Sequence, residues 1–231
     1  MAAIVLLSGG LDSAVSLALY LETSSIDLAL TFDYGQRARA KEIAASRQIA
    51  QHYGIPHRVV SLPFLQEQTH SALVNHSHEL PLPEYEKLDD VAGEARATAQ
   101  QVWVPNRNGL FLNIAAVFAE NMGEATTLIT GFNREEAATF PDNSQEFMTA
   151  LNRCFNYSTQ NEVTVASPTA RLDKAEIVRE GLRLALPLEK IWSCYASGEQ
   201  LCGQCESCLR LKRALLLNEA QELVDILFAV R

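Results

Sequence analysis

An apolar run at residues 3–7, Ala-Ile-Val-Leu-Leu, ends on Ser8-Gly9-Gly10-Leu11-Asp12-Ser13, and an amphipathic stretch follows at once. The order predicts strand, glycine turn and helix. Such a turn gathers unpaired backbone N–H groups at the positive end of a helix dipole, a place that favours phosphate. Gly9 and Gly10 let backbone approach a pyrophosphate with no Cβ in the way, and Ser8 and Ser13 add hydroxyl donors. No Walker lysine follows, so the motif is not the P-loop of kinases and GTPases. The plainer alternative is an ordinary strand–helix turn.

The same alternation continues along the chain. Helical spacing runs over 12–22, a second strand over 26–32, and a helix over 39–53 that Gly54 and Pro56 stop. A third strand is expected at 57–62. Segment 62–104 is polar and punctuated by Pro63, Pro81 and Pro83; an insertion of that length is usually functional or mobile. Beyond it the pattern predicts a helix at 108–121, a strand at 125–130, a helix at 142–155, a strand at 162–166, a helix at 174–184, and a last helix reaching the C-terminus. Alternating strands and helices imply an α/β fold, a doubly wound parallel sheet with helices on both faces. Ligands of such sheets bind at the carboxyl ends of the strands, where Ser8, Asp33, Gly131 and Ser167 are expected. The simplest division is a catalytic domain over 1–190, with 62–104 as its substrate or lid segment, and a metal-binding segment over 191–231.

With 231 residues, 48% of them hydrophobic, the chain can bury a full core without disulfides. No stretch approaches the roughly 18–20 apolar residues that span a bilayer, and no leader precedes the first strand, so a cytoplasmic protein with no membrane partner is expected. A net charge of −9 argues against a broad nucleic-acid surface.

Four of the five cysteines, Cys194, Cys202, Cys205 and Cys208, form C-x7-C-x2-C-x2-C. Clustered cysteines of a reducing compartment more often hold metal than form disulfides. Two-residue spacers wrap one tetrahedral ion, with Gly203 as the tight knuckle, and four thiolates close the coordination sphere, as in a structural zinc site. An iron–sulfur cluster is the rival. Cys154, alone on its helix, is expected in the core. His70, His76 and His78 share the long insertion and read as a solvated loop.

Ser-Gly-Gly-x-Asp-Ser resembles the loop of the ATP pyrophosphatases, which cleave ATP between its α- and β-phosphates. Further matches extend the likeness nearly end to end. They are Asp33-Tyr34-Gly35-Gln36-Arg37, Val104-Pro105-Asn106-Arg107-Asn108, Thr130-Gly131, Phe140-Pro141-Asp142, Asp173-Lys174-Ala175-Glu176-Ile177, and Trp192-Ser193-Cys194-Tyr195 with the remaining cysteines. Together they resemble the 7-cyano-7-deazaguanine synthase family, whose fold is adenine nucleotide alpha hydrolase-like and Rossmann-like.

The resemblance implies that 7-carboxy-7-deazaguanine, ammonia and ATP become 7-cyano-7-deazaguanine through adenylated acid and amide, with Mg²⁺ on the nucleotide and one structural zinc per chain. It places Leu7, Ser8, Gly9, Gly10, Leu11, Asp12, Ser13 and Asp33 at the nucleotide, and assigns Asp12 to the Mg²⁺. Lys174 and Arg107 then stabilise developing phosphate charge; the bland alternatives are a solvated lysine in a first turn and a surface salt bridge. Asp142 accepts paired hydrogen bonds from the deazaguanine, or only caps a helix after Pro141. Phe140 stacks on the base or packs in the core. The family commonly has Tyr-Pro-Asp-Cys-Arg where this chain has Phe140-Pro141-Asp142-Asn143-Ser144. The missing arginine leaves Arg134, or a base from 62–104, as the substitute for binding an anionic substrate group. A tRNA-modifying relative of thiolation or lysidine type, a relative with an altered substrate, and a non-catalytic nucleotide-binding module are the rival readings, and a homodimer stays open.

Overall fold

The computed structural model describes residues 1–228. Strands and helices alternate as β1 (Ala2–Leu6), α1 (Leu11–Leu21), β2 (Leu28–Asp33), α2 (Arg39–His52), β3 (His57–Ser61), α3 (Phe64–Glu67), α4 (Glu94–Val102), α5 (Arg107–Glu120) and β4 (Thr126–Ile129). The short α6 (Arg134–Ala137), α7 (Gln145–Ser158), β5 (Val163–Ala166), α8 (Lys174–Arg183), α9 (Glu206–Leu217) and α10 (Gln221–Leu227) complete the order. In place of one last helix reaching the C-terminus, the chain breaks at 218–220, where Glu219 takes a positive φ, into α9 and α10, and α10 ends at Leu227 before an extended Phe228; residues 229–231 lie outside the described residues.

Among the described residues the strands form a parallel five-stranded sheet in the order β3-β2-β1-β4-β5. The chain steps outward from β1 in both directions, so the switch point falls between β1 and β4. Alternation along β1 divides the core in two. Ala3 and Val5 face α1, α8, α9 and α10, whereas Ile4 faces α5 and α7 with Leu112, Met148 and Phe155. The central strands β1, β2 and β4 are largely buried because both faces are covered, whereas the edge strand β3, His-Arg-Val-Val-Ser, is only partly so.

Close packing fixes the switch point. An added Cβ on Gly131, just after β4, would lie 2.5 Å from the Ser13 nitrogen. The loop after β4 therefore touches the first turn of α1 through backbone alone. Thr130 O accepts from Ser16 Oγ and, at 2.9 Å, from Ser167 Oγ, tying the β4 and β5 ends to α1.

Three further local expectations need correction. The helix expected at 142–155 begins later: residues Pro141–Asn143 form a 3₁₀ turn, and α7 starts after Ser144, whose hydroxyl accepts from the Phe147 amide. Asp142 is therefore not its cap. Cys154 is exposed rather than core, because it falls on the solvent side of α7 while Phe155 takes the buried place. Segment 62–104 is not a polar excursion; Leu73, Val74, Leu88, Ala95, Ala99 and Val102 are all buried, and α4 gives the segment helical structure of its own.

Candidate active site

Above the switch point lies a cavity of about 280 Å³. The loop after β1 forms one side of it. Gly9 sits at φ +82°, a left-handed conformation, and a Cβ there would stand 2.6 Å from the Glu42 carbonyl oxygen, so no other residue fits without strain. The loop is braced from within: Ser8 and Ser13 hydroxyls lie 3.0 Å apart, and Gly10 N donates to Ser8 Oγ at 3.3 Å. It is braced also from the far end of the chain. Trp192 N donates to Gly9 O at 2.8 Å, and Leu11 N donates to Ser193 Oγ at 3.3 Å.

Leu7, Ser8, Gly10, Asp12, Ser13, Arg107, Phe140, Asp142 and Lys174 line the cavity together. Lys174 is buried, at 6% exposure, not a solvated first-turn lysine. Its Nζ lies 2.7 Å from Asp12 Oδ2 and 3.1 Å from Glu136 Oε1. Burial pulls the ammonium pKa down, but the two carboxylates outweigh it and hold Lys174 above its ordinary value. Burial pushes Asp12 up to about 6 against the opposing pull of Lys174. The second oxygen, Asp12 Oδ1, is buried without a hydrogen-bond partner.

Arg107 opens α5 and points to the cavity, where Tyr34 Oη and Asn108 Oδ1 each accept from it at 3.4 Å. No ion pair holds it among the described residues, so its charge remains available to an anion. Asp142 carries its carboxyl into the same space; Oδ1 accepts from Asn143 Nδ2 at 3.2 Å, and burial raises its pKa although Arg107 lowers it. Beside it Phe140 stacks parallel to Trp103, with ring centroids 5.9 Å apart and planes 6° from parallel.

Not every expected residue reaches the cavity. Gly9 and Leu11 shape the loop from behind. The Asp33 carboxylate turns back to accept from Gly35 N at 3.1 Å, closing the turn after β2. Arg134 is drawn to the surface by Asp173 and Glu176, at 2.8 and 3.3 Å, so it does not supply the missing base. The sequence reading missed Glu136, Glu206, Arg210, Trp103 and Glu42. Only Glu206 carried a local signal, standing next to Cys205; the others are ordinary helix or loop residues until the chain folds.

The four cysteines converge. Their sulfurs all lie within 4.8 Å of one another, and Cys202 Sγ is 3.8 Å from Cys208 Sγ. That separation is far beyond a disulfide bond but matches the ~3.8 Å edge of a tetrahedron with bonds of about 2.3 Å. Backbone N–H groups of Ala196 and Cys202 donate to Cys194 Sγ, and those of Gln204 and Cys205 to Cys202 Sγ, at 3.3–3.4 Å. Such donors favour thiolates, so the cluster can hold a metal ion.

Glu42 on α2 faces the cavity with Oε2 accepting from Gln36 Nε2 at 2.8 Å, and burial raises its pKa to about 7. An unfolded Glu42 loses its proton near pH 4.5, whereas the folded one keeps it to about pH 7. Stability is therefore lost as pH climbs through that window, by about 2 kcal/mol once cavity water screens the charge. Glu42→Gln removes this penalty. Melting curves should show the variant gaining about 4–8 °C over the parent at pH 8 and little at pH 4.5; equal gains at both values would refute the assignment.

The comparisons with known proteins agree with one another. The model of a family described as queuosine biosynthesis protein QueC matches residues 2–219. Relatives named 7-cyano-7-deazaguanine synthase occur in Pelotomaculum thermopropionicum, at 55% identity over 93% of this chain and 96% of the relative, and in Desulforamulus reducens, at 55% over 93% of each. A third, in Carboxydothermus hydrogenoformans, is 53% identical over 92% of this chain and 97% of its own length. The chain thus belongs to the QueC family of queuosine biosynthesis proteins.

Proposed function

We propose that the protein is a 7-cyano-7-deazaguanine synthase, a cytoplasmic carbon–nitrogen ligase that joins ammonia to 7-carboxy-7-deazaguanine at the expense of ATP. The observation that supports it best is one cavity whose wall carries the glycine loop, two cations and the Asp142 carboxyl together, in a chain matching the family almost end to end.

A carboxylate is a poor electrophile and must be activated. Its oxygen attacks the α-phosphorus of ATP, and the bond to pyrophosphate breaks. Backbone N–H groups of the loop after β1 cradle the pyrophosphate, while Lys174 and Arg107 face the charge that grows on the phosphoryl oxygens. Ammonia then attacks the acyl carbon, AMP departs with the bonding electrons, and the nitrogen loses a proton. The amide oxygen then attacks the α-phosphorus of a second ATP and expels pyrophosphate; departure of AMP with the C–O bonding electrons and loss of both N–H protons leave the nitrile. Asp142 accepts from the N1–H and exocyclic amine of the base, and Phe140 and Trp103 offer flat apolar surface beside it. The unpartnered Asp12 Oδ1 suits Mg²⁺, a hard cation that would neutralise phosphate charge. Zinc suits the four thiolates, as structural support with no open coordination position.

The direct test is mass spectrometry and ³¹P NMR of protein mixed with ATP, Mg²⁺, ammonium and 7-carboxy-7-deazaguanine. The nitrile should form with AMP and pyrophosphate; ADP and phosphate as the nucleotide products would overturn the reading.

Asp142→Asn places a donor against a donor of the base and should lower kcat/KM about 30- to 1000-fold. Because Ser144 caps α7, a fall of that size reports base recognition rather than helix capping. Near-normal efficiency would move base recognition elsewhere.

Cys205→Ser should lose most of one bound zinc per chain and lower stability by about 3 kcal/mol or more, since structural zinc contributes to folding outright. Elemental analysis checks the metal. Iron with sulfide in the parent protein would replace zinc with a cluster.

A further inference from the structure

Ammonia is a small ligand with few handles. Whether it arrives as NH₃ or NH₄⁺, it offers N–H donors, so a protein holds it with an acceptor that no internal donor already occupies. Such acceptors are rare in a folded interior, because an unpartnered buried polar atom is costly. Among the described residues three buried side-chain atoms lack a hydrogen-bond partner: Asp12 Oδ1, Asn133 Nδ2 and Glu206 Oε2. Asn133 Nδ2 is itself a donor and has the wrong polarity. Asp12 Oδ1 sits beside the phosphate-binding loop against Lys174, where the nucleotide and its cation belong. Glu206 Oε2 is left.

We infer that Glu206 is the residue that binds the nitrogen donor, its Oε2 accepting an N–H of ammonia or ammonium within the cavity. This rests on the synthase reading above. Glu206 opens α9 directly after Cys205, lines the cavity, and is only 5% exposed. Its other oxygen, Oε1, accepts from Arg210 Nε at 3.0 Å. Three of the four remaining N–H groups of Arg210 are engaged elsewhere: Nη1 with Glu135 at 2.9 Å and with Asp89 at 3.4 Å, and Nη2 with the Leu88 carbonyl. The guanidinium thus offsets the charge of Glu206 and fixes its orientation, yet presents no donor to Oε2. Glu136, Lys174 and Tyr195 line the same cavity as Glu206. The acceptor accordingly belongs to the wall that also carries the Lys174 network, not to a remote crevice.

Glu206→Gln keeps the volume and lets the amide oxygen face Arg210 Nε, while an NH₂ group replaces Oε2. The KM for ammonium should rise at least tenfold, while that for ATP moves less than threefold. Exchange of labelled pyrophosphate into ATP, which requires the acid but no nitrogen donor, should persist. Metal content and melting temperature check that the neighbouring cysteine site survives. Should that variant fail to fold, Glu206→Asp keeps an acceptor but withdraws it by one methylene, and its ammonium KM should rise at least threefold. Parent enzyme that forms the nitrile, with the folded variant's ammonium KM within twofold of the parent value, overturns the inference alone. Parent enzyme that forms no nitrile from these substrates instead overturns the synthase reading.

Discussion

The buried charge of Lys174 organises everything around the cavity. An ammonium taken out of water costs several kcal/mol unless opposite charge meets it in good geometry. Here Asp12 and Glu136 do so at 2.7 and 3.1 Å. Those three residues come from α8, α1 and α6, so one electrostatic requirement draws three elements to the same point. Satisfying it leaves Asp12 with one oxygen unpaired. The site is thus held assembled by its own charges, with a cation already in place on the wall that faces the glycine loop.

The cysteine segment is part of that assembly. Cys194, Cys205 and Cys208 share a core with Ala3 and Val5 of the central strand and with Leu11 and Ile177. The residues just before Cys194 brace the glycine loop from outside, through Trp192 N to Gly9 O and Ser193 Oγ from Leu11 N. Just after Cys205, Glu206 and Arg210 reach the cavity, and Arg210 and Arg213 grip Leu88 and Asp89 of the long insertion. A metal ion held by the four cysteines would in this way stiffen the loop, the cavity wall and the long insertion at once. That connection explains why the cysteine cluster stands so near the glycine loop.

Much of this architecture was legible in the sequence because it depends on local periodicity. Short apolar runs alternating with amphipathic stretches fit buried parallel strands under helices, and the central strands β1, β2 and β4 fall on such runs, whereas the edge strand β3, His-Arg-Val-Val-Ser, does not. The paired two-residue spacers of the cysteine motif likewise bring thiolates together over a short span. Helix starts were less legible. The Pro-Asp pair at 141–142 looks like a cap, but the chain spends it on a 3₁₀ turn and lets Ser144 begin the helix.

What the sequence by itself determined is therefore the parallel α/β layer order, the glycine turn after the first strand and the four-cysteine cluster. Each follows from residues close together in the chain. The tertiary structure alone decided which distant side chains meet: that Glu136 joins Lys174 and Asp12, that Arg134 is pulled outward by Asp173 and Glu176, and that Asp33 folds back on Gly35. It also decided that Arg210 occupies one oxygen of Glu206 and leaves the other bare. Charge pairing and desolvation act through space between residues up to 162 positions apart, and no periodicity in the chain records which partner burial will select.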